Sequence, residues 1–117
     1  MNSEARLIEE FRTRWQGDCP AGVPCRAAGK VAAWSLERIC QVLQHGSTRP
    51  LRIAENGLPT CTPHETALLS TYNALAAGKD DLARQHARWL VRADWVGALL
   101  RAMEPIASGP ARKVLAA

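Results

Sequence analysis

Apolar side chains recur at intervals of three and four residues along the first half of the chain, a spacing that aligns them on one side of an α-helix. In residues 4–16 this stripe consists of Leu7, Ile8, Phe11 and Trp15. In residues 30–45 it consists of Ala32, Leu36, Ile39, Cys40 and Leu43. The pattern predicts two amphipathic helices, each followed by a glycine that suits a helix end.

A strong helix start lies in the middle of the chain, at Thr62-Pro63-His64-Glu65. Threonine is a favourable N-cap, proline suits the first helical position, and a glutamate three residues after the cap completes a capping box. Apolar residues follow at helical spacing, and Gly78 is placed to stop the helix. These residues predict a third helix over 63–77.

The helical spacing continues in the second half and predicts a long fourth helix over 80–104, which Pro105 would end. Its apolar positions are Leu82, Trp89, Ala93, Val96, Leu100 and Met103. Gly78 and Lys79 form a very short link to the third helix, so the two helices are expected to pack as an antiparallel hairpin. We expect residues 105–117 to form a tail that is frayed or weakly docked.

Two connections lack helical spacing. Residues 17–29 contain glycines and two prolines and predict a loop. Residues 50–54 suit an extended segment, and Asn56-Gly57 after them is a favourable turn. The sequence therefore also permits a short β-hairpin between the second and third helices. The whole pattern predicts an all-α fold: a small four-helix domain over 1–104 with a C-terminal antiparallel helical hairpin.

The composition agrees with a helical domain. The chain has 117 residues, a length typical of one domain, and its apolar residues are mostly alanine and leucine, which favour helix. The N-terminus contains acidic residues and no apolar run, and no apolar stretch reaches the length of a membrane span. We therefore expect a cytoplasmic protein whose four cysteines are reduced unless they hold a metal.

A candidate zinc site comprises Cys19, Cys25, Cys61 and His64. Zinc prefers thiolate and imidazole ligands in close pairs, and the Cys61-x-x-His64 spacing fits one such pair. The other pair is irregular, because five residues separate Cys19 from Cys25. A capped helix with unused thiols explains the same residues, so we expect no cofactor, with zinc as the alternative and an iron–sulfur cluster less favoured.

A second candidate site is the Arg/Trp face of the predicted fourth helix, comprising Arg84, Arg88, Arg92 and Trp95. The arginines follow one another in steps of four residues, so a continuous helix would present them on one side. Exposed arginine and tryptophan are enriched at protein interfaces. Arginines also contact phosphates, and the net charge of +4 permits nucleic-acid binding. A solvated charged face is the ordinary alternative.

The chain contains no Gly-rich phosphate loop and no Gly-x-Ser-x-Gly sequence. Its acidic residues fall at helix starts and surfaces, where charge is ordinary, so we expect no enzymatic activity. The sequence favours a small helical interaction module that binds a protein partner through the Arg/Trp face. The alternatives are a metal-binding protein and a nucleic-acid-binding regulator.

Overall fold

The computed structural model describes residues 3–15, 29–48, 50–54 and 60–107. Within these residues the chain is mostly helical, as predicted, with five α-helices and one short 3-10 turn at Ala93–Trp95. The helices are α1 (Ser3–Trp15), α2 (Gly29–Gly46), α3 (Pro63–Ala76), α4 (Asp80–Ala87) and α5 (Val96–Ala107). The predicted loop at 17–29 falls almost wholly outside the described residues.

The first two helices bury the stripes that their spacing predicts. In α1 the side chains of Leu7, Ile8 and Phe11 are buried, and Trp15 packs against the core from its edge. In α2 the four described stripe residues are buried: Leu36, Ile39, Cys40 and Leu43. Helix α2 also packs along α5, where the Ser35 hydroxyl donates a hydrogen bond to the carbonyl of Ala102.

The predicted start of α3 is confirmed. The Thr62 hydroxyl accepts a hydrogen bond from the backbone N–H of Glu65 at 3.2 Å, and the Glu65 carboxylate accepts one from the backbone N–H of Thr62 at 2.9 Å. Gly78, just after the helix, has a φ of 75°, in the left-handed region that glycine adopts at helix ends. The turn lets α3 and α4 pack against each other.

The prediction of one continuous helix over 80–104 is wrong, because α4 ends at Ala87 and α5 begins at Val96. Between them the chain leaves the helix to join the end of α2. The backbone N–H of Arg92 donates to the Gly46 carbonyl at 2.8 Å, and Val91 forms an isolated antiparallel bridge with Ser47. The first of these contacts pairs the Arg92 N–H, which has left the helix, with a carbonyl at the end of α2 that has no partner further along its own helix.

The break changes which side chains enter the core. Leu90 and Val91 are both buried, whereas Trp89, which the spacing placed in the buried stripe, is 66% exposed. Residues 88–92 therefore place Leu90 and Val91 in the core and leave the Trp89 indole in water.

The predicted helix end at Pro105 is also wrong. Helix α5 continues through Pro105 to Ala107, and Ile106 and Ala107 are fully buried. Proline removes one helical hydrogen bond, and the burial of these two side chains offsets that loss. The predicted tail therefore begins no earlier than residue 108, and residues 108–117 lie outside the described part of the chain.

The β-hairpin after α2 finds no support in residues 50–54, which form no strand. Its predicted turn at Asn56-Gly57 lies outside the described residues. Residues 50–54 instead lie against the start of α3, to which side chains of α3 connect them. None of the described helices is long and apolar enough to cross a membrane.

Candidate functional site

The Arg/Trp face is divided by the break in the predicted fourth helix. Arg84 and Arg88 stay four residues apart on the exposed side of α4, with Arg88 as its C-cap. Arg92 lies beyond the helix, where its guanidinium donates to the His45 carbonyl at 3.2 Å. The four residues therefore do not share one helix surface.

Trp95 belongs to the joint between α2 and α5. Its ring stacks on the His45 imidazole, with ring centroids 6.4 Å apart, and it covers Gly46 so closely that a side chain there would clash. Trp95 is consequently half-buried. The described tryptophans with large exposed surfaces are Trp34 and Trp89, at 55% and 66%.

The structure describes two of the four residues of the candidate zinc site, Cys61 and His64. Cys61 is exposed just before α3, and the Nδ1 atom of His64 accepts a hydrogen bond from the backbone N–H of Arg52 at 3.0 Å. Cys19 and Cys25 lie outside the described residues, so the four-ligand site stays a prediction. Within the described ranges, no group of three or more His, Cys, Asp or Glu residues could hold a metal ion.

Cys40 behaves as the small hydrophobic residue that its place in the α2 stripe indicates. Its thiol is buried, and burial raises its pKa to about 12. A thiol with so high a pKa is hardly ever a thiolate near neutral pH, so Cys40 is a poor nucleophile and a poor metal ligand.

A buried ion pair anchors the start of α3 to α1. The Arg12 guanidinium donates to both carboxylate oxygens of Glu65, at 2.6 and 3.0 Å, and also to the carbonyl of Thr60 at 3.1 Å. Burial alone would raise the pKa of Glu65, but the hydrogen bonds from Arg12 and from the Thr62 backbone hold that pKa below its ordinary value. Glu65 is therefore a buried carboxylate with both of its oxygens bonded.

Side chains of α3 and its N-cap also hold residues 50–54 in place. The Arg52 backbone is bonded on both sides, because its N–H donates to His64 and its carbonyl accepts a hydrogen bond from the Thr62 hydroxyl at 2.5 Å. Ala54 donates its N–H to Glu65 at 3.4 Å. These bonds place the exposed side chain of Arg52 beside the first turn of α3.

The Trp89 cleft lies between this first turn and the end of α4, with a volume of about 530 Å³. Its walls are formed by Arg52, Pro63, His64, Thr66, Ala67, Ser70, His86 and Trp89. A smaller depression of about 290 Å³ adjoins it, shares Ser70 and His86 with it, and extends along α3 and α4 to Lys79 and Leu82. Together they form a groove along the α3–α4 pair.

The groove combines apolar surface with positive charge. Its ionisable side chains are Arg52, Lys79 and the two histidines, and none of the described residues that line it is acidic. The indole of Trp89 and the exposed side chain of Leu82 supply apolar surface. Such a surface can hold an elongated ligand that carries negative charge beside apolar groups.

The spacing of residues along α4 indicates which side chains could line this groove. Leu82, His86 and Trp89 follow one another at steps of four and three residues, but so do Ala83, Ala87 and Leu90. The second set is the buried one. Small alanines let α3 and α4 approach closely, which leaves the larger stripe at the groove. Arg52 carries no such signal, because its position depends on hydrogen bonds to distant residues.

No known protein family, curated protein or solved structure matches this chain, so its function has to be inferred from this fold and this surface.

Proposed function

We propose that this chain is a small cytoplasmic helical interaction module that binds a protein partner in the Trp89 cleft. The observation that carries the proposal is an indole 66% exposed on the wall of a concave site. Exposure of so large an apolar side chain is unfavourable in water, and a partner that covers it would remove that cost. Tryptophan is also among the residues that contribute most to binding at protein interfaces.

The proposed partner site lies a short distance from the Arg/Trp face. Arg88 precedes Trp89 in the chain and is exposed, and Arg84 lies one helical turn before it. A partner seated in the cleft and extending over the outer side of α4 would meet both arginines. Arg92 and Trp95 have structural roles at the end of α2 and are left out of the proposed surface.

Affinity capture from native cell extract tests the proposal with three forms of the protein: the wild type, Trp89→Ala and Trp34→Ala. Trp34 is the matched control, because it is a 55% exposed tryptophan on α2, away from the cleft. We expect a protein that the wild type and Trp34→Ala retain and that Trp89→Ala loses. The partner, once purified, should bind Trp89→Ala at least about 30-fold more weakly in calorimetry, as for an interface hot spot.

Both variants change exposed side chains, so their melting temperatures should stay within about 2 °C of the wild type. A partner that binds Trp89→Ala as tightly as the wild type would overturn the proposed site. If nuclease treatment of the extract abolishes capture, the ligand is a nucleic acid, and the protein-partner proposal fails.

A further inference from the structure

We infer that the Trp89 cleft selects a short extended segment of a protein in which acidic side chains flank apolar ones. This inference rests on the proposed function and specifies the partner's chemistry. It combines three observations: the positions of the positive charges, the hydrogen-bonding state of His64, and the length of the groove.

The positive charges lie at opposite ends of the groove. Arg52 is at the Trp89 end and Lys79 at the Leu82 end. The hydrogen bonds that hold residues 50–54 use only the backbone of Arg52, whose side chain is exposed and has no ion-pair partner among the described residues. A fixed backbone reduces the freedom that this side chain loses on binding an anion, and guanidinium pairs well with carboxylates.

His64 adds a donor beside Arg52. Because its Nδ1 atom accepts the Arg52 N–H, the proton of the neutral ring is on Nε2. That N–H is a hydrogen-bond donor on a residue that lines the cleft. Thr66 and Ser70, whose side chains carry hydroxyls, line the same cleft. Arg52 and His64 together thus favour a carboxylate over a neutral amide at this end.

The length of the groove sets the length of the segment. It runs along α3 from Pro63 to Ala77, about 21 Å at 1.5 Å of rise per residue. An extended chain covers this distance with about six residues at 3.3–3.6 Å each. Acidic residues at both ends of such a segment would reach Arg52 and Lys79, while apolar residues between them cover Trp89, Ala67 and Leu82.

Two matched hexapeptides test this inference by calorimetry with the full chain. Both are acetylated and amidated and carry leucine and alanine in the middle; one has glutamate at each end and the other glutamine. We expect the glutamate peptide to bind at least about tenfold more tightly. Arg52→Gln should reduce this preference to less than about threefold, whereas the exposed Arg38→Gln on α2 should retain it. Trp89→Ala should weaken binding of both peptides.

Equal affinity for the two peptides, no binding of either at millimolar concentration, or an unchanged preference in Arg52→Gln would each overturn the inference. A thymidine oligonucleotide that binds more tightly than the glutamate peptide and loses affinity in Arg52→Gln would overturn it in favour of nucleic acid. These failures are separable from failure of the proposed function. A captured protein that depends on Trp89 while the peptides show no preference leaves the partner site standing without its acidic selectivity.

Discussion

Replacing Arg12 with methionine leaves the Glu65 carboxylate buried without its charged partner. Methionine keeps the length of the aliphatic stem and the helix propensity of arginine while removing the guanidinium. The side chains of Arg12 and Glu65 are only 4% and 0% exposed, so water cannot readily replace the lost bonds. The variant therefore removes the ion pair that joins α1 to the start of α3.

The magnitude follows from this geometry. Loss of one partner of a buried, hydrogen-bonded ion pair costs about 3–5 kcal/mol, because the remaining charge stays uncompensated. The Thr60 carbonyl also loses its bond from Arg12. Against a total stability of about 5–15 kcal/mol, such a loss is a large fraction of the free energy of unfolding. At roughly 4 °C per kcal/mol for a chain of this size, the melting temperature should fall by about 12–20 °C.

Urea unfolding followed by circular dichroism at neutral pH measures this loss. Arg38→Met is the control, since Arg38 is an exposed arginine on α2 whose side chain bonds to Gln41 at 3.2 Å. We expect that control to lose less than about 0.5 kcal/mol. A loss below about 1 kcal/mol in Arg12→Met would refute the reasoning, because it would mean that the pair contributes no more than a surface contact.

The pH dependence gives an independent check with a definite sign. The pKa of Glu65 is lowered in the folded protein, so its carboxylate contributes stability above the ordinary pKa of about 4.3 and loses it as the pH falls through the lowered value. The stability difference between wild type and Arg12→Met should be largest near neutral pH and should shrink on acidification, because Glu65 of the variant, whose pKa burial raises once Arg12 is gone, takes up a proton before Glu65 of the wild type does. A difference that grows on acidification would contradict the assignment of Glu65 as the buried anion.

Two further experiments test the packing at the end of α2 and the candidate zinc site. In Gly46→Ala the new methyl group would lie 2.5 Å from Cγ of Trp95, so we expect a loss of about 1–3 kcal/mol from overpacking. In Gly97→Ala the methyl group meets only the Arg101 guanidinium at 3.4 Å, so alanine should be neutral or raise stability by up to about 1 kcal/mol; thermal melting decides, and an equal effect of the two changes would contradict this account. Elemental analysis of protein purified without added metal should find no zinc, whereas about one zinc per chain would support the candidate zinc site.

Local sequence patterns predicted much of the fold. The apolar stripes of α1 and α2 and the capping box of α3 depend on neighbours within four residues, and these elements form where the spacing predicts them. The same local reasoning failed at Ala87, where helical spacing continues but the helix ends. Hydrogen bonds that join residues 90 and 92 to residues 48 and 46, at the end of α2, compete with helical bonds there, and no pattern within 80–104 records that competition.

The candidate site shows the same division. The sequence pointed to arginine and tryptophan as binding residues, but the exposed tryptophan of the candidate site is Trp89 and not the half-buried Trp95, and Arg52 forms part of the cleft wall. The second role of Glu65, which caps α3 and also pairs with Arg12 from 53 positions away, was equally invisible from local spacing.

The amino-acid order by itself determined an all-α chain, the extents of its first two helices and the start of its third, because helix formation depends on residues three and four positions apart. The tertiary structure decided where the fourth helix breaks, which of two overlapping stripes on α4 is buried, and which tryptophan faces water. Those outcomes depend on contacts between segments that are distant in the chain. The small side chains of Ala83 and Ala87 are the ones buried on α4, and the Gly46 carbonyl at the end of α2 accepts a hydrogen bond from Arg92 where the helical spacing predicts a continuous helix.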